Sequence, residues 1–175
     1  MPAGKTIVTL ATATPGGGFP LYGGAVADVI NAEDPTLDVQ PKHTKGSTEN
    51  VPLLEAGTMD IGLVQGEVVL EAPKSVRILA KHAFLRPLDV AAGSYPGITA
   101  PLASVGSWSF IMTRPTLPDD VAYKLARALH RGEAKLGATL AQARETTAAN
   151  TATAAAPERL HPGVARYLRE IGALR

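Results

Sequence analysis

The sequence predicts an α/β protein with a mostly parallel sheet and helices on both of its faces. Strand-like and helix-like stretches alternate over residues 5–65, in the order strand, helix, strand, helix, strand. The strand-like stretches at 5–12 and 59–66 are mostly apolar, which is typical of strands buried in a parallel sheet. Strands connected in this way pair through right-handed crossovers, so we expect a sheet order that begins 2-1-3.

The first strand and the first helix are marked by a change in hydrophobic period. Residues 5–12 (KTIVTLAT) are mostly apolar and β-branched, which predicts a buried strand. A loop with three consecutive glycines, residues 16–18, follows this strand. The helix after this glycine loop carries one apolar stripe, formed by Leu21, Ala25, Val26, Val29 and Ile30. A turn at Asp34–Pro35 then leads into a second strand over residues 37–43.

A second, shorter helix connects this strand to the third. Ser47 is predicted as its N-cap and Gly57 as its C-terminal stop. Pro52 lies inside this helix, where it removes a backbone hydrogen bond, so a start nearer Asn50 is an alternative. Residues 59–66 (MDIGLVQG) predict the third buried strand.

The second half of the chain is less regular. Three strands are predicted in it, over residues 75–82, 87–93 and 107–114. Residues 117–136 predict a long helix, with Pro118 in its first turn and acidic residues near its N-terminus. Residues 146–156 (TTAANTATAAA) are of low complexity and predict a loop or a helix end, and residues 161–172 predict a final short helix.

Length and composition narrow the class of protein. A chain of 175 residues is expected to form one domain, spanning 1–175. The net charge is +1, from 17 basic and 16 acidic residues, so we expect no nucleic-acid partner. The absence of cysteine excludes disulfides, and no apolar stretch reaches the length of a membrane-spanning helix. Residues 1–10 lack an apolar core and a cleavage site, so no signal peptide is expected within this chain.

The glycine loop does not match the nucleotide-binding motifs. A phosphate-binding P-loop requires a lysine after its last glycine, and here Phe19 follows Gly18. A dinucleotide fingerprint requires a third glycine where Leu21 stands, although Asp38 is spaced as a ribose-binding acid would be. The pentapeptide at 93–97 (GSYPG) has tyrosine where a serine hydrolase has its nucleophile.

The remaining titratable residues show no catalytic or metal-binding spacing. The four histidines, His43, His82, His130 and His161, are far apart in sequence, and no acid pair is placed by a motif. We expect these rings to be solvated or to make structural hydrogen bonds. The sequence therefore predicts a protein that is not an enzyme and that holds no metal or other cofactor.

Two loops remain as candidates for ligand binding. Residues 12–19 and 44–49 each follow a predicted parallel strand and lead into a helix, so both lie at the carboxyl edge of the sheet. Backbone N–H groups and helix dipoles at such an edge favour an anion such as a carboxylate. In the alternative interpretation the glycines only permit a tight turn and Ser47 only caps its helix.

Five motifs together resemble one family of receptors. In order, they are PGGGFPLYGGAVADVIN, HTKGSTENVPLLEAGTMDIGLVQGEVV, VAAGSYPG, LPDDVAYKLARAL and LHPGVARYLREIG. Over residues 5–70 and 88–172 the chain resembles the solute-binding proteins of TAXI-type TRAP transporters. The resemblance implies a periplasmic receptor that binds a small organic anion or an amino acid and delivers it to a TRAP membrane permease.

The chain departs from that family in its middle. The family has two α/β lobes that close on the ligand, whereas here residues 71–87 form only a short, hinge-like connection. A second lobe would need about 100 residues, which the sequence does not contain at this point. The resemblance therefore implies a single lobe, similar to domain I of a type II periplasmic binding protein, in which one face of the site is open.

The resemblance also implies which residues contact the ligand. Phe19 would form an apolar wall, or alternatively pack in the core beneath the loop. The implied contacts are Thr14, Gly17, Gly18 and Phe19 in the first loop, Gly46, Ser47, Thr48 and Asn50 in the second, and Gln65 at the end of the third strand. The first hypothesis is thus a solute-binding protein or a sensor derived from one.

A second hypothesis is an interaction module that no longer serves transport. The open face would then bind another protein or a second copy of the chain, since a twofold dimer could rebuild a two-walled site. Trp108, Phe84 and Tyr95 are candidate interface anchors, with burial in the core as the alternative for each.

Overall fold

The computed structural model describes residues 4–65, 85–90, 92–93 and 99–175. The chain divides into two compact units, Met1–Leu63 with Ile111–Arg175, and Val64–Phe110. The prediction of one domain over residues 1–175 stays a prediction. The strand predicted at 75–82, as well as Phe84, Tyr95 and His82, lies outside the described residues.

The described residues form six strands and five α-helices. The strands are β1 (Thr6–Ala11), β2 (Leu37–Lys42), β3 (Ile61–Gln65), β4 (Leu85–Val90), β5 (Leu102–Ser107) and β6 (Ser109–Thr113). The helices are α1 (Gly18–Glu33), α2 (Ser47–Glu55), α3 (Asp119–Thr139), α4 (Ala148–Ala154) and α5 (Pro162–Glu170).

Four of the strands form one sheet in the order β2-β1-β3-β6. β1 pairs in parallel with β2, from Thr6 opposite Leu37 to Ala11 opposite Lys42, and in parallel with β3. The N–H of Arg114, just after β6, donates to the carbonyl of Asp60, just before β3 (2.8 Å), so β6 runs antiparallel to β3. The predicted α/β class, the mostly parallel sheet and the order 2-1-3 are confirmed.

Helices cover both faces of this sheet. Gly23 of α1 lies so close to the sheet that a Cβ there would be 2.6 Å from Cγ2 of Thr12 and 3.4 Å from Cδ1 of Leu63. Gly62, the neighbour of Leu63 on β3, faces the opposite side, where a Cβ would be 3.3 Å from Cδ1 of Leu54 in α2. Since successive residues of a strand point to opposite faces, α1 and α2 lie on opposite sides of the sheet.

The apolar stripe predicted for α1 is wrong at one position. Leu21 is 61% exposed, whereas Val26, Val29 and Ile30 are buried in the main core. Leu21 lies on the side of the helix opposite Gly23, which faces the sheet. The close approach of α1 requires a residue without a side chain on the core-facing side, and a pattern of large apolar residues does not reveal this.

The start of α2 also differs from the prediction. The N-cap is Gly46, whose φ of 97° favours glycine, and Ser47 is the first helical residue and is buried. The carboxylate of Glu49 accepts a hydrogen bond from the backbone N–H of Lys45, so this side chain serves the helix start. The prediction of Ser47 as N-cap and the alternative start near Asn50 are therefore wrong.

The helix nevertheless continues through Pro52, which lies inside it. Its end agrees with the prediction, because Gly57 follows the helix with a φ of 69°. The N–H of Gly57 donates to the carbonyl of Leu54 (3.1 Å), and that of Thr58 donates to the carbonyl of Leu53 (2.9 Å). These bonds are the usual closure of a helix at a left-handed glycine.

In the second half, β6 lies within the strand predicted at 107–114. β4 overlaps the strand predicted at 87–93 but begins two residues earlier, and β5 was not predicted. β4 and β5 form an antiparallel pair, from Leu85 opposite Ser107 to Val90 opposite Leu102.

The helices of the second half differ in detail from the prediction. The sequence predicts Pro118 in the first turn of α3, but Pro118 precedes the helix as its N-cap. The low-complexity segment contains α4. Trp108 is half-buried.

The described helices include none that is both long enough and apolar enough to cross a membrane.

Candidate ligand-binding site

The carboxyl ends of β1 and β2 bring the two predicted loops together. The N–H of Thr12 donates to the carbonyl of Lys42 (2.9 Å), which extends the strand pairing by one step. Beyond it, the N–H of Thr44 donates to the carbonyl of Ala13 (3.4 Å), and Nδ1 of His43 lies 3.3 Å from the same oxygen. Both loops therefore lie side by side at one edge of the sheet, as the order 2-1-3 requires.

The first loop presents backbone to solvent. Thr14, Gly17 and Gly18 are exposed, and the N–H of Gly17 donates to the carbonyl of Thr14 (3.2 Å). Gly16, with a φ of 85°, permits the turn that leads into α1. The first N–H groups of α1 have no acceptors within the helix and stand at the positive end of its dipole, so this end of the helix favours an anion.

Phe19 is half-buried and packs against the main core. Its near neighbour Tyr22 also packs there, and the Tyr22 hydroxyl lies 2.9 Å from Oγ1 of Thr146. Burial raises the pKa of Tyr22, and the hydrogen bond with Thr146 offsets part of that rise. Phe19 therefore contributes to the core beneath the loop, while its exposed part remains at the surface next to Gly18.

The second loop is less accessible than the sequence predicts. Gly46 and Ser47 are buried, and only Thr48 among the three is exposed. The N–H of Gly46 donates to Oγ1 of Thr44 (3.1 Å), so the turn before α2 is fixed by a side chain of its own loop. Of these residues, Thr48 is the one whose side chain is placed to reach a ligand from outside.

Asn50 joins the two loops and β3. Its side chain is fully buried, with an exposure of 0%. Nδ2 of Asn50 donates to the carbonyl oxygens of Thr12 (2.9 Å) and Leu63 (2.7 Å). Oδ1 accepts a hydrogen bond from the hydroxyl of Thr44 (2.7 Å). A ligand outside the protein does not reach this amide, so we assign Asn50 a positioning role, in place of the direct contact that the sequence implied.

Three basic side chains flank the second loop, and the prediction did not include them. Lys42, His43 and Lys45 are exposed. In the described part of the chain, no carboxylate lies within ion-pair distance of either lysine. The signal was present in the sequence as KHTK, residues 42–45, directly before the glycine of the second loop. The charges of Lys42 and Lys45 add to the preference of the edge for an anion.

Gln65 is the last residue of β3 and is exposed. The sequence predicts that the histidines are solvated or make structural hydrogen bonds, and His130 and His161 make internal contacts. Nδ1 of His130 lies 2.7 Å from the hydroxyl of Tyr167, and Nε2 of His161 lies 2.9 Å from the carbonyl of Leu117. Nδ1 of His161 accepts from the N–H of Gly163, which makes His161 the N-cap of α5. Both rings therefore have structural roles.

The amino end of the same sheet is closed by ion pairs. Oδ2 of Asp60 accepts hydrogen bonds from the N–H and the hydroxyl of Thr9 (both 2.8 Å), and Oδ1 pairs with Nε of Arg114 (2.9 Å). Burial alone would raise the pKa of Asp60, but the hydrogen bonds from Thr9 and Arg114 and the charge of Arg114 outweigh it and lower this pKa.

A second ion pair lies just before the start of β2. Oδ2 of Asp34 lies 2.9 Å from Nη2 of Arg127 in α3, and Oδ1 accepts from the N–H and hydroxyl of Thr36. Burial would again raise the pKa of Asp34, but the bonds from Thr36 and Arg127 outweigh it and lower this pKa. The acidic side chains at this end thus have partners within the protein.

The family comparison agrees with this architecture. A family model described as the NMT1-like family matches residues 10–85 and 73–172. This family is of the periplasmic binding-protein type. The two matched stretches cover both halves of the chain, and they overlap within the segment predicted as a short connection at 71–87.

Proposed function

The chain belongs to the NMT1-like family, and from this premise we propose that it is the solute receptor of a TRAP-type transport system of the TAXI class. In this proposal the protein binds a small organic anion or an amino acid and presents it to a membrane permease. It works in the periplasm and performs no chemical step on its ligand. Membership in a family of solute-binding proteins supports the general class, and the five motifs support the TAXI assignment.

The observation that carries the proposal is the edge formed by the two loops. Exposed backbone of residues 14–18 and the exposed Thr48 lie at the N-termini of α1 and α2, close to Lys42, His43 and Lys45. N–H groups at helix N-termini and cationic side chains both stabilise a bound carboxylate. A single carboxylate group is the smallest ligand that would use both features at once.

The chemistry of the edge also indicates how the rest of a ligand is recognised. Phe19 and the exposed Leu21 supply apolar surface next to the glycine loop. A ligand with a short carbon chain between its carboxylate and a second polar group would place that chain over this surface. We therefore propose dicarboxylates and amino acids as the ligand classes to test first.

The proposal takes the binding face as open, as the predicted single lobe implies, and this sets the expected affinity. On an open face, each polar contact competes with water and contributes about 1 kcal/mol. The proposal therefore expects a dissociation constant of about 0.1–1 mM, or about 4–5 kcal/mol of binding free energy, for the monomer. Tighter binding would require a second copy or another partner to cover residues 14–19 and 46–50.

Thermal unfolding with a panel of acids tests this proposal. The panel is succinate, glutarate, L-glutamate and L-leucine at about 10 mM, with succinamide as the uncharged control and ionic strength held constant. Binding to the folded state raises the melting temperature by mass action, by about 3–8 °C for the affinity proposed. A melting temperature that no acid raises above the succinamide control would contradict the proposal.

A matched pair of lysine variants locates the effect. Lys45→Gln removes a charge next to the second loop, and Lys135→Gln removes an exposed charge on α3, outside both loops. We expect Lys45→Gln to reduce the ligand-induced rise in melting temperature and Lys135→Gln to leave it unchanged. Equal effects of the two substitutions would show that the acid responds to net charge and does not bind at the loops.

A further inference from the structure

The outer edge of β2 is the feature from which we draw a further inference. Among the strands that the structure describes, β2 is the end strand in the order β2-β1-β3-β6. The N–H of Thr6 donates to the carbonyl of Thr36, and the N–H of Thr12 donates to the carbonyl of Lys42. In a parallel pair the residues that bond to the neighbour alternate, so even-numbered residues of β2 face β1. Leu37, Val39 and Pro41 therefore direct their backbone groups outwards.

An outward row of N–H and C=O groups would normally accept another strand. On β2 none of the three outward positions offers a free donor. The N–H of Leu37 donates to the carbonyl of Asp34 (3.0 Å), and the N–H of Val39 donates to Oδ1 of Asn31 (2.7 Å). Pro41 has no N–H. The carbonyl of Val39 is also occupied, because it accepts from Nδ2 of Asn31 (3.1 Å).

The side chain of Asn31 thus takes the place of a neighbouring strand. Its amide carries one donor group and one acceptor, as a peptide unit does, and it bonds to both backbone groups of the same residue. Asn31 lies in the last turn of α1, three residues before Asp34, so the end of one helix supplies two of the groups that cover this edge. Hydrophobic patterning explains neither Asn31 nor Pro41, since neither belongs to the core.

We propose that Asn31 and Pro41 together close the β2 edge to strand addition by a second copy of this chain. The two residues act at successive outward positions of the strand. Asn31 occupies the centre of the strand, and Pro41 removes the next outward donor. Any assembly of this protein then leaves β2 as the end of its sheet and uses another surface. This inference does not depend on the ligand and stands or falls separately from the proposed function.

The test uses the full chain and three variants: Asn31→Ala, Pro41→Val and the double variant Asn31→Ala/Pro41→Val. The single variants each leave one of the two barriers in place, so we expect them to sediment as the wild type does at about 10–500 μM. The double variant frees outward donors at two successive outward positions, and we expect its average mass to rise with concentration. Amide exchange then shows whether β2 is the new interface, through protection of the amide of Val39 and of the amide that the substitution introduces at position 41.

Hydrogen exchange of the Val39 amide gives a second readout that needs no association. In the wild type this amide is expected to be protected although it lies at a sheet edge. In Asn31→Ala it is expected to exchange roughly 10–100-fold faster, with Val8 in the sheet interior as the internal control. If Asn31→Ala does not fold, the wild-type protection of Val39 still tests the bond.

Three results would overturn the inference. One is a Val39 amide that exchanges in the wild type as fast as an exposed loop amide. Another is a folded double variant that sediments as the wild type does at every concentration. Association of the double variant without protection of β2 would also contradict it, because the new contact would then lie elsewhere.

Discussion

The two ends of the central sheet differ in how their charges are used. At the amino end, Asp60 and Asp34 are each paired with an arginine and held by a threonine. At the carboxyl end, Lys42 and Lys45 are exposed and have no carboxylate partner within the described residues. The two aspartates at the amino end are therefore paired with arginines, whereas at the carboxyl end Nζ of Lys42 donates to the neutral Oε1 of Gln40 (3.2 Å).

The means of holding the loops differ in the same way. Ion pairs that cross between elements fix the amino end, whereas backbone contacts, the neutral amide of Asn50 and a hydrogen bond from the backbone N–H of Lys45 to the carboxylate of Glu49 fix the carboxyl end. The neutral amide of Asn50 holds the two loops in place and adds no negative charge of its own to the helix N-termini and the lysines. Under the proposed function, the amino end serves stability and the carboxyl end binds the anionic ligand.

The largest effect is expected from removing the clamp. Asn50→Ala leaves the carbonyl oxygens of Thr12 and Leu63 buried without their donor, in addition to leaving a cavity. We expect the free energy of unfolding to fall by about 3–5 kcal/mol, measured by urea denaturation. Thr48→Ala, an exposed neighbour in the same helix, is the control and should change it by less than about 0.5 kcal/mol. Equal losses in the two variants would show that Asn50 does not hold the loops.

A smaller loss of stability is expected at the amino end. Asp60→Asn removes the charge that pairs with Arg114 at a site about one-fifth exposed, with side-chain exposures of 21% and 23%. We expect unfolding to become easier by about 1–3 kcal/mol while ligand affinity stays unchanged, because the site lies at the other end of the sheet. Urea denaturation and calorimetric titration measure the two quantities. A loss of affinity as large as the loss of stability would contradict the separation of the two ends.

Acid should weaken the amino end specifically. The pKa values of Asp34 and Asp60 are lowered in the folded protein, so both carboxylates contribute stability above the unfolded pKa of about 3.9. That contribution is lost as the pH falls through the lower, folded pKa values. Unfolding measured between pH 6 and 2 should therefore show a shallower acid-induced decline in the double variant Asp34→Asn/Asp60→Asn than in the wild type. Identical slopes would mean that other carboxylates cause the acid sensitivity.

The main part of the fold, the sheet formed by β1, β2 and β3, could be predicted from the sequence for a physical reason. Most apolar residues of β1, β2 and β3 are buried, so the pattern that predicts these strands follows directly from their environment. Gly46 and Gly57 have positive φ angles, which glycine adopts most readily, so the sequence carries glycine at both turns. The predicted burial of Leu21 was wrong because α1 packs closely against the sheet through Gly23. That close approach depends on Thr12 and Leu63, which lie in other parts of the chain.

The site was predictable as a pair of loops but not in the role of each residue. Asn50 and Ser47 resemble ligand contacts in sequence, yet both are buried, because the turn at Gly46 directs the start of α2 inwards. The partners of Asn50 are 13 and 38 residues away in the chain, so no local pattern identifies them. The basic residues beside the loop were visible in the sequence, but only the parallel pairing of β1 and β2 places them next to the glycine loop.

A modest effect on stability and a larger one on binding are expected for Phe19→Ala. Phe19 packs against the core but is half-buried, so we expect a loss of about 1–2 kcal/mol, below the roughly 3–5 kcal/mol of a fully buried phenylalanine. Ligand affinity should fall by a larger free energy, because the ring also supplies apolar surface at the loop. Denaturation and calorimetric titration of the same sample separate the two. Equal losses in folding and binding would favour a purely structural role for the ring.

The most direct test of the central claim is an amide chemical-shift titration of the full chain with succinate and with L-glutamate. The account predicts saturable shifts at residues 16–19 and 44–48 with a dissociation constant of about 0.1–1 mM, and none beyond the salt control at Asp60 and Arg114. Lys45→Gln should weaken the same titration without moving its location. Shifts that cluster at the amino end of the sheet, or shifts at the two loops no larger than an equal concentration of sodium chloride produces, would contradict the claim.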